Sequence, residues 1–257
     1  MALATGFMKD LYGVLGESAI VHRGNKVFLR KRPGKSTKPP TELAQAKKAG
    51  FGLAGKIAGK ISSINEIKQF WKGDPVKNNT GYNRLFQANH CQFNIADFSG
   101  KIVLSEGYGL EVVNPLIELG ETGPVIKCDS FESADAGKEA AAKYIRATGI
   151  IVMKNPGAKD APEYDFMTFI TKEIPKIKGE KFSAEVKYLG GDFVKFQDYA
   201  VKKAFAVFIT CNEEWELTDI SGTVESDLSD NSGGVGGEGT ENVGNEVSET
   251  KGNILEG

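Results

Sequence analysis

The spacing of hydrophobic positions changes period along the chain, and each change predicts a different element. Between residues 41 and 71 the apolar positions are Leu43, Ala46, Gly50, Leu53, Ile57, Ile61, Ile64, Ile67 and Trp71. Steps of three and four put them on one stripe of a helix. Thr41 is a good N-cap, Glu42 suits the first turn, and Pro40 ends the extended piece before it. Gly73-Asp74-Pro75 stops the pattern, and a break is expected near Ser62-Ser63-Ile64-Asn65. Glycines weaken the middle of this helix by about 1 kcal/mol each relative to Ala. The expected return is close packing, with Gly52, Gly55 and Gly59 letting another helix or sheet approach the backbone. A second, short helix is expected over "GYNRLFQANH", residues 81–90.

From Lys101 onward the period falls toward two. "KIVLSEG", "PVIKCD", "YIRATGIIVM", "EYDFMTFITKEI", "KFSAEVKYL", "GDFVKFQ", "KKAFAVFITCN" and "ELTDISGTV" are β-branched or aromatic runs separated by turn residues. Alternation is visible in Phe166, Thr168 and Ile170, and in Phe205, Val207 and Ile209. Such a series predicts a mainly β, α+β protein whose residues 96–225 form an antiparallel, immunoglobulin-like β-sandwich. "CDSFESADAGKEAAAKY" reads as a loop with one helical turn. Residues 226–257 are rich in Gly and carboxylates and poor in large apolar side chains, the composition of a flexible acidic tail.

Residues 1–40 read as an arm and 41–95 as a helical segment. In the arm, Ile20 and Val21 precede Arg23-Gly24-Asn25, and Val27, Phe28 and Leu29 follow. That is a β-hairpin signal. An isolated hairpin is marginal in water, so these five apolar residues are the expected self-association surface. Arg30, Lys31, Arg32, Lys35 and Lys38 come next, in a Pro-interrupted connector suited to electrostatic docking.

Charge sharpens this picture. The net formal charge is only −2, yet residues 1–60 carry twelve Lys or Arg against three acids. Residues 211–257 carry one Lys and twelve acids. A basic head with an acidic end points to electrostatic partnering, with an acidic protein surface favoured over nucleic acid. Few aromatics interleave the basic run, and no nucleic-acid-binding motif accompanies it. No classical signal peptide opens the chain and no run is apolar enough for a membrane helix. Cytoplasmic synthesis is expected, with a virion or a non-classical export route as possible destinations.

Catalytic chemistry is poorly represented. "GFGLAG" at 50–55 matches a dinucleotide fingerprint but lies inside a helix rather than at its start. Cys91, Cys128 and Cys211 have no zinc or disulfide spacing. His90 and Cys91 are chain neighbours whose side chains diverge in regular structure, and a His90–Cys211 pair lacks a supporting signature. No cofactor, metal or catalytic residue is expected. Tyr164, Tyr188 and Trp215 would mark a carbohydrate- or protein-binding module if they lined one face.

The stretch "GVLGESAIVHRGNKVFLRKRPGKSTKPPTELAQAKKAGFGLA", with Tyr82-Asn83 and "KIVLSEGYGL" after it, resembles an uncharacterised protein family from Bacteroidota. That resemblance covers residues 13–110 and implies a β-pair, a basic connector, a Thr-led helix and an immunoglobulin-like remainder. It implies no activity. The expectation is therefore a non-catalytic structural protein, phage-related or of a surface filament, that associates with itself.

Overall fold

The computed structural model describes residues 2–4, 13–15, 17–23, 26–31, 39–71, 80–107, 109–176 and 179–230. The chain begins with β1 (Ala2–Ala4), β2 (Gly13–Leu15), β3 (Ser18–Arg23) and β4 (Lys26–Lys31). Then come α1 (Glu42–Ser62), α2 (Asn65–Phe70), α3 (Gly81–Asn89) and the short pair β5 (Phe93–Asn94) and β6 (Ser99–Gly100). After them follow β7 (Leu110–Val113), β8 (Leu116–Leu119), β9 (Pro124–Cys128), β10 (Ser130–Ser133), α4 (Ala136–Ala141) and β11 (Tyr144–Pro156). The remainder is β12 (Tyr164–Ile170), β13 (Ile174–Pro175), β14 (Phe182–Glu185), α5 (Gly190–Asp198), β15 (Tyr199–Cys211), β16 (Leu217–Ile220), β17 (Val224–Glu225) and β18 (Ser229–Asp230).

The body is built on β11 and β15. They pair antiparallel from Tyr144 opposite Cys211 to Pro156 opposite Tyr199. β12 flanks β11, and β16, β17 and β18 succeed one another along the far side of β15. Both central strands are buried along most of their length. Their near-continuous apolar runs, "GIIVM" and "AFAVFITC", follow from a sheet covered on both faces. One face carries Ile150, Val152, Phe205, Val207 and Ile209 and is covered by α1, α2, α3 and the segment around Ile102 and Leu104. The opposite face carries Ala147, Ile151, Met153, Ala204, Ala206 and Phe208, under β7–β10, β8–β9–β14 and α5. Gly149 is required here. A Cβ at that position would lie 1.9 Å from the Phe205 carbonyl oxygen and 2.9 Å from the Phe169 ring.

The mainly β, α+β class holds, with a large antiparallel sheet at its centre. The long helix starts as its sequence signals: Thr41 Oγ1 accepts from the Ala44 amide at 3.3 Å. It breaks between Ser62 and Asn65, and α3 lies where the second helix was expected. The stop at Gly73–Pro75 lies outside the described residues.

Several elements differ from the sequence reading. "KIVLSEG" is not a strand. Asn89 and Thr223 side chains take its Val103 and Leu104 amides at 2.8 Å each, in place of a ladder, while Ile102 and Leu104 enter the core. "GDFVKFQ" is the helix α5, in which Phe196 is the buried anchor and Val194 is exposed. "AGKEAA" supplies the expected helical turn as α4, but "SFES" before it forms the strand β10, and β7 and β8 lie in a stretch that the sequence reading left unassigned. The acidic end begins later than residue 226, because Ser229 and Asp230 still pair with Lys202 and Val201. Gly52, Gly55 and Gly59 are not a close-packing face: a Cβ on any of them meets nothing within 4 Å. The helix docks instead through Leu53, Ala54, Ile57, Ala58 and Ile61, one position round the cylinder.

Opposite outcomes are expected for alanine at these glycines. Gly149→Ala loses at least about 2 kcal/mol through overpacking against rigid backbone. Gly52→Ala and Gly59→Ala each gain about 0.5–1 kcal/mol from helix propensity. Urea unfolding followed by far-UV circular dichroism reads all three.

Candidate functional site

The N-terminal hairpin forms, but it is not bare. Its strands β3 and β4 pair from Ser18–Lys31 to Arg23–Lys26, and the order β1-β4-β3-β2 puts a three-residue strand on each side. Ala2–Ala4 covers Val27–Leu29, and Gly13–Leu15 covers Ser18–Ile20. The expected sticky edges of β3 and β4 are thus partly closed from within the chain. Val27 is buried, while Ile20, Val21, Phe28 and Leu29 are half-buried. A single four-stranded layer has no second layer of its own to cover its apolar side. Among the described residues, none before Leu53 belongs to either buried cluster of the body. Arg30 and Lys31 are exposed at the end of β4. The docking residues Arg32, Lys35 and Lys38, and the Gly24-Asn25 turn, lie outside the described residues.

The first turns of α1 also stand off the body. Residues 41–49 are all exposed, Leu43 at 66% and Phe51 at 60%. Phe51 meets the end of α3, with its ring 4.8 Å from Phe86 and 6.0 Å from His90. An apolar stripe that should seek cover is therefore left open for two to three turns.

Beside Phe51 lies a contact that chain adjacency argues against. Cys91 Sγ is 3.5 Å from His90 Nε2. Cys91 has φ of +61°, and this left-handed backbone brings neighbouring side chains together where regular structure would part them. His90–Cys211 is not a pair, because Cys211 is buried in the helix-side core. Burial raises the thiol pKa of Cys211 and pushes that of Cys128 up to about 11. Cys91 alone of the three is exposed.

The buried polar groups are wired as structure. Asp219, fully buried, accepts from Ser133 Oγ at 2.5 Å and from the Ile220 amide at 3.0 Å, with Lys138 Nζ 3.5 Å away. Buried Asn89 bridges Leu85 and Val103. Among the described residues no three His, Cys, Asp or Glu side chains gather to hold a metal ion. No helix among them is long and apolar enough to cross a membrane. Tyr164, Tyr188 and Trp215 do not share a face. Trp215 stacks on Tyr144 at 4.5 Å, at the end of β11 opposite to the one that pairs with Tyr164.

The remaining open feature is β12, the outer strand of the central sheet. Asp165 sits between its own strand and two neighbours, donating no proton but accepting from the Phe166 amide at 2.7 Å and pairing with Lys195 at 2.6 Å. Burial alone would raise its pKa. Hydrogen bonds from Lys195 and the Phe166 amide, with the charges of Lys195 and Lys60, outweigh it and hold the carboxyl below its usual value. None of this was legible in the sequence, where Asp165 reads as one solvent-side charge in an alternating strand.

Compared with known proteins, the chain matches no family model, no curated protein and no solved structure.

Two measurements follow from the site. A thiol-reactive disulfide reagent at neutral pH modifies one cysteine per native chain, Cys91→Ser removes that reaction, and Cys128 and Cys211 react only in denaturant. Because the Asp165 pKa is lowered on folding, its contribution is complete above the unfolded value of about 4 and fades as pH falls through the folded value. The difference in melting temperature between wild type and Asp165→Asn should therefore be widest above about pH 5 and close toward pH 2.

Proposed function

We propose that this chain is a non-catalytic structural subunit that self-associates through its N-terminal arm. One observation carries the reading: among the described residues, none of β3, β4 or the first turns of α1 belongs to either core of the body. Half-buried Ile20, Val21, Phe28 and Leu29 and exposed Leu43 and Phe51 supply the apolar area. The contact differs from simple pairing on a hairpin edge, since β1 and β2 occupy much of both edges. It uses the face of the sheet and the apolar stripe of α1, with Arg30 and Lys31 meeting carboxylates on the neighbour. A contact between two different patches of identical chains closes into a ring or continues as a filament.

Size-exclusion chromatography with light scattering tests this. The full chain is expected to run above its 27.7 kDa monomer mass at high concentration. Deletion of residues 1–40, or Phe28→Asp with Leu43→Asp, should sharply lower that mass with unchanged far-UV circular dichroism of the body. A monomer at every concentration, indifferent to the deletion, overturns the reading.

A further inference from the structure

The open edge of β12 is a second place where a chain can add. Thr171 donates to the Ala147 carbonyl and Asn155 to that of Glu163, so the odd-numbered positions of this strand face β11. The main-chain groups of Tyr164, Phe166, Thr168 and Ile170 therefore face outward. Among the described residues no strand pairs with that side. The edge is only partly guarded: the Asp165 carboxylate takes the Phe166 amide, and the Tyr188 hydroxyl reaches the Thr168 carbonyl at 3.4 Å.

Two adjoining hollows line this edge, of about 390 and 480 Å³, and they share Ser63 of the α1–α2 turn. α1 forms the wall of the larger one through Lys56, Gly59 and Lys60. Gly59 presents bare backbone there, with nothing within 4 Å of a built Cβ. Lys56 Nζ lies 4.4 Å from the Tyr164 ring centre. Ile170 is exposed on the strand itself, and Leu189 and Val194 flank Tyr188 and Lys195 on the other side. The slot thus combines unpaired main chain, apolar contacts and lysines. Asp165 is paired with Lys195 and also feels Lys60, and Glu66 is paired with Arg146, so that Lys56 and Lys60 tip the slot positive, offset in part by exposed Glu163.

We propose that β12 accepts an extended acidic segment from a second copy of this chain, residues 238–256, as an added strand in this slot. That segment carries five Glu against one Lys, with Val243, Val247, Ile254 and Leu255 as its apolar side chains. Charge complementarity with Lys56 and Lys60 selects it. Main-chain hydrogen bonds to Thr168 and Ile170 supply the affinity, and the slot reads alternate side chains. The donor segment follows β18, which lies on the flank of β15 away from β12. Donation between copies is therefore head to tail, and it rests on the reading of the chain as a self-assembling subunit.

The test is fluorescence anisotropy with a labelled synthetic peptide of residues 238–256 and the full chain. Saturable binding is expected, weakened at least ten-fold by Lys56→Glu with Lys60→Glu. Thr168→Pro should weaken it similarly, because proline there blocks the outer edge while sparing the bonds to β11. A scrambled peptide of equal composition should bind at least ten-fold more weakly. Circular dichroism and melting of each variant confirm that the body is intact. Binding that survives both variants, binding equal for the scrambled peptide, or none at millimolar chain overturns the proposal. So does a full chain that blocks its own slot at every dilution, because the donor is then the same copy. Light scattering on the 1–40 deletion separates the two ideas. If that deletion dissolves an assembly while the peptide fails to bind, the subunit reading stands and the β12 slot falls.

Discussion

The antiparallel pairing of β11 with β15 is the constraint on which the rest of the molecule depends. Thirteen residues of each strand run side by side, and their hydrogen bonds are shielded by side chains on both faces. Such a pair is stable only if both faces are covered, and the chain supplies a different cover for each. Helices α1, α2 and α3 close one side and two small antiparallel sheets with α5 close the other. Phe205 and Phe208 illustrate the division. Three positions apart on one strand, they project into opposite cores. Gly149 sits between two neighbours, since only a missing side chain lets the Phe205 carbonyl and the Phe169 ring both approach its backbone so closely.

Covering the sheet leaves segments that are neither strand nor helix but still buried, and their main chain needs partners. Asn89 holds residues 101–105 against α3 through two hydrogen bonds with the Val103 main chain, and Thr223 Oγ1 receives the Leu104 amide. The Trp71 indole donates to the Leu104 carbonyl at 2.7 Å. Asp219 and Ser133 join the two-stranded β7–β10 sheet to β16. Asn89, Thr223 and Trp71 serve irregular buried backbone that has no ladder to satisfy it, whereas Ser133 and Asp219 lie in strands and bond side chain to side chain. Their chemistry is accounted for by these duties.

What is left over lies at the margins: the N-terminal sheet, the first turns of α1 and the β12 edge. All three expose apolar or main-chain groups that a monomeric body ordinarily covers. The two charge extremes of the sequence sit in the same economy of contacts. The basic head belongs to the arm, and the acidic end follows β18.

Local sequence chemistry was enough for the class, the cap and start of α1, its break, α3, and most of the long strands of the body. Each of these rests on local chemistry: Thr41 bonding Ala44, a stripe at helical spacing, or β-branched runs between turns. The arm was legible for the same reason, although not its flanking strands, which are three residues long and carry no period. Only the tertiary structure decided where those elements face. Whether Gly52, Gly55 and Gly59 meet a neighbour depends on which side of α1 the sheet accepts, and the sheet accepted Leu53, Ile57 and Ile61. Residues 101–107 look like a strand, but no neighbouring strand offers a ladder to most of them, so side chains took the amides. Cys91 meets His90 because of one left-handed residue, and β12 is an edge because strand order places it last. Periodicity records what a residue prefers to bury; strand order and backbone handedness, which are set by contacts distant in sequence, decide what it finds there.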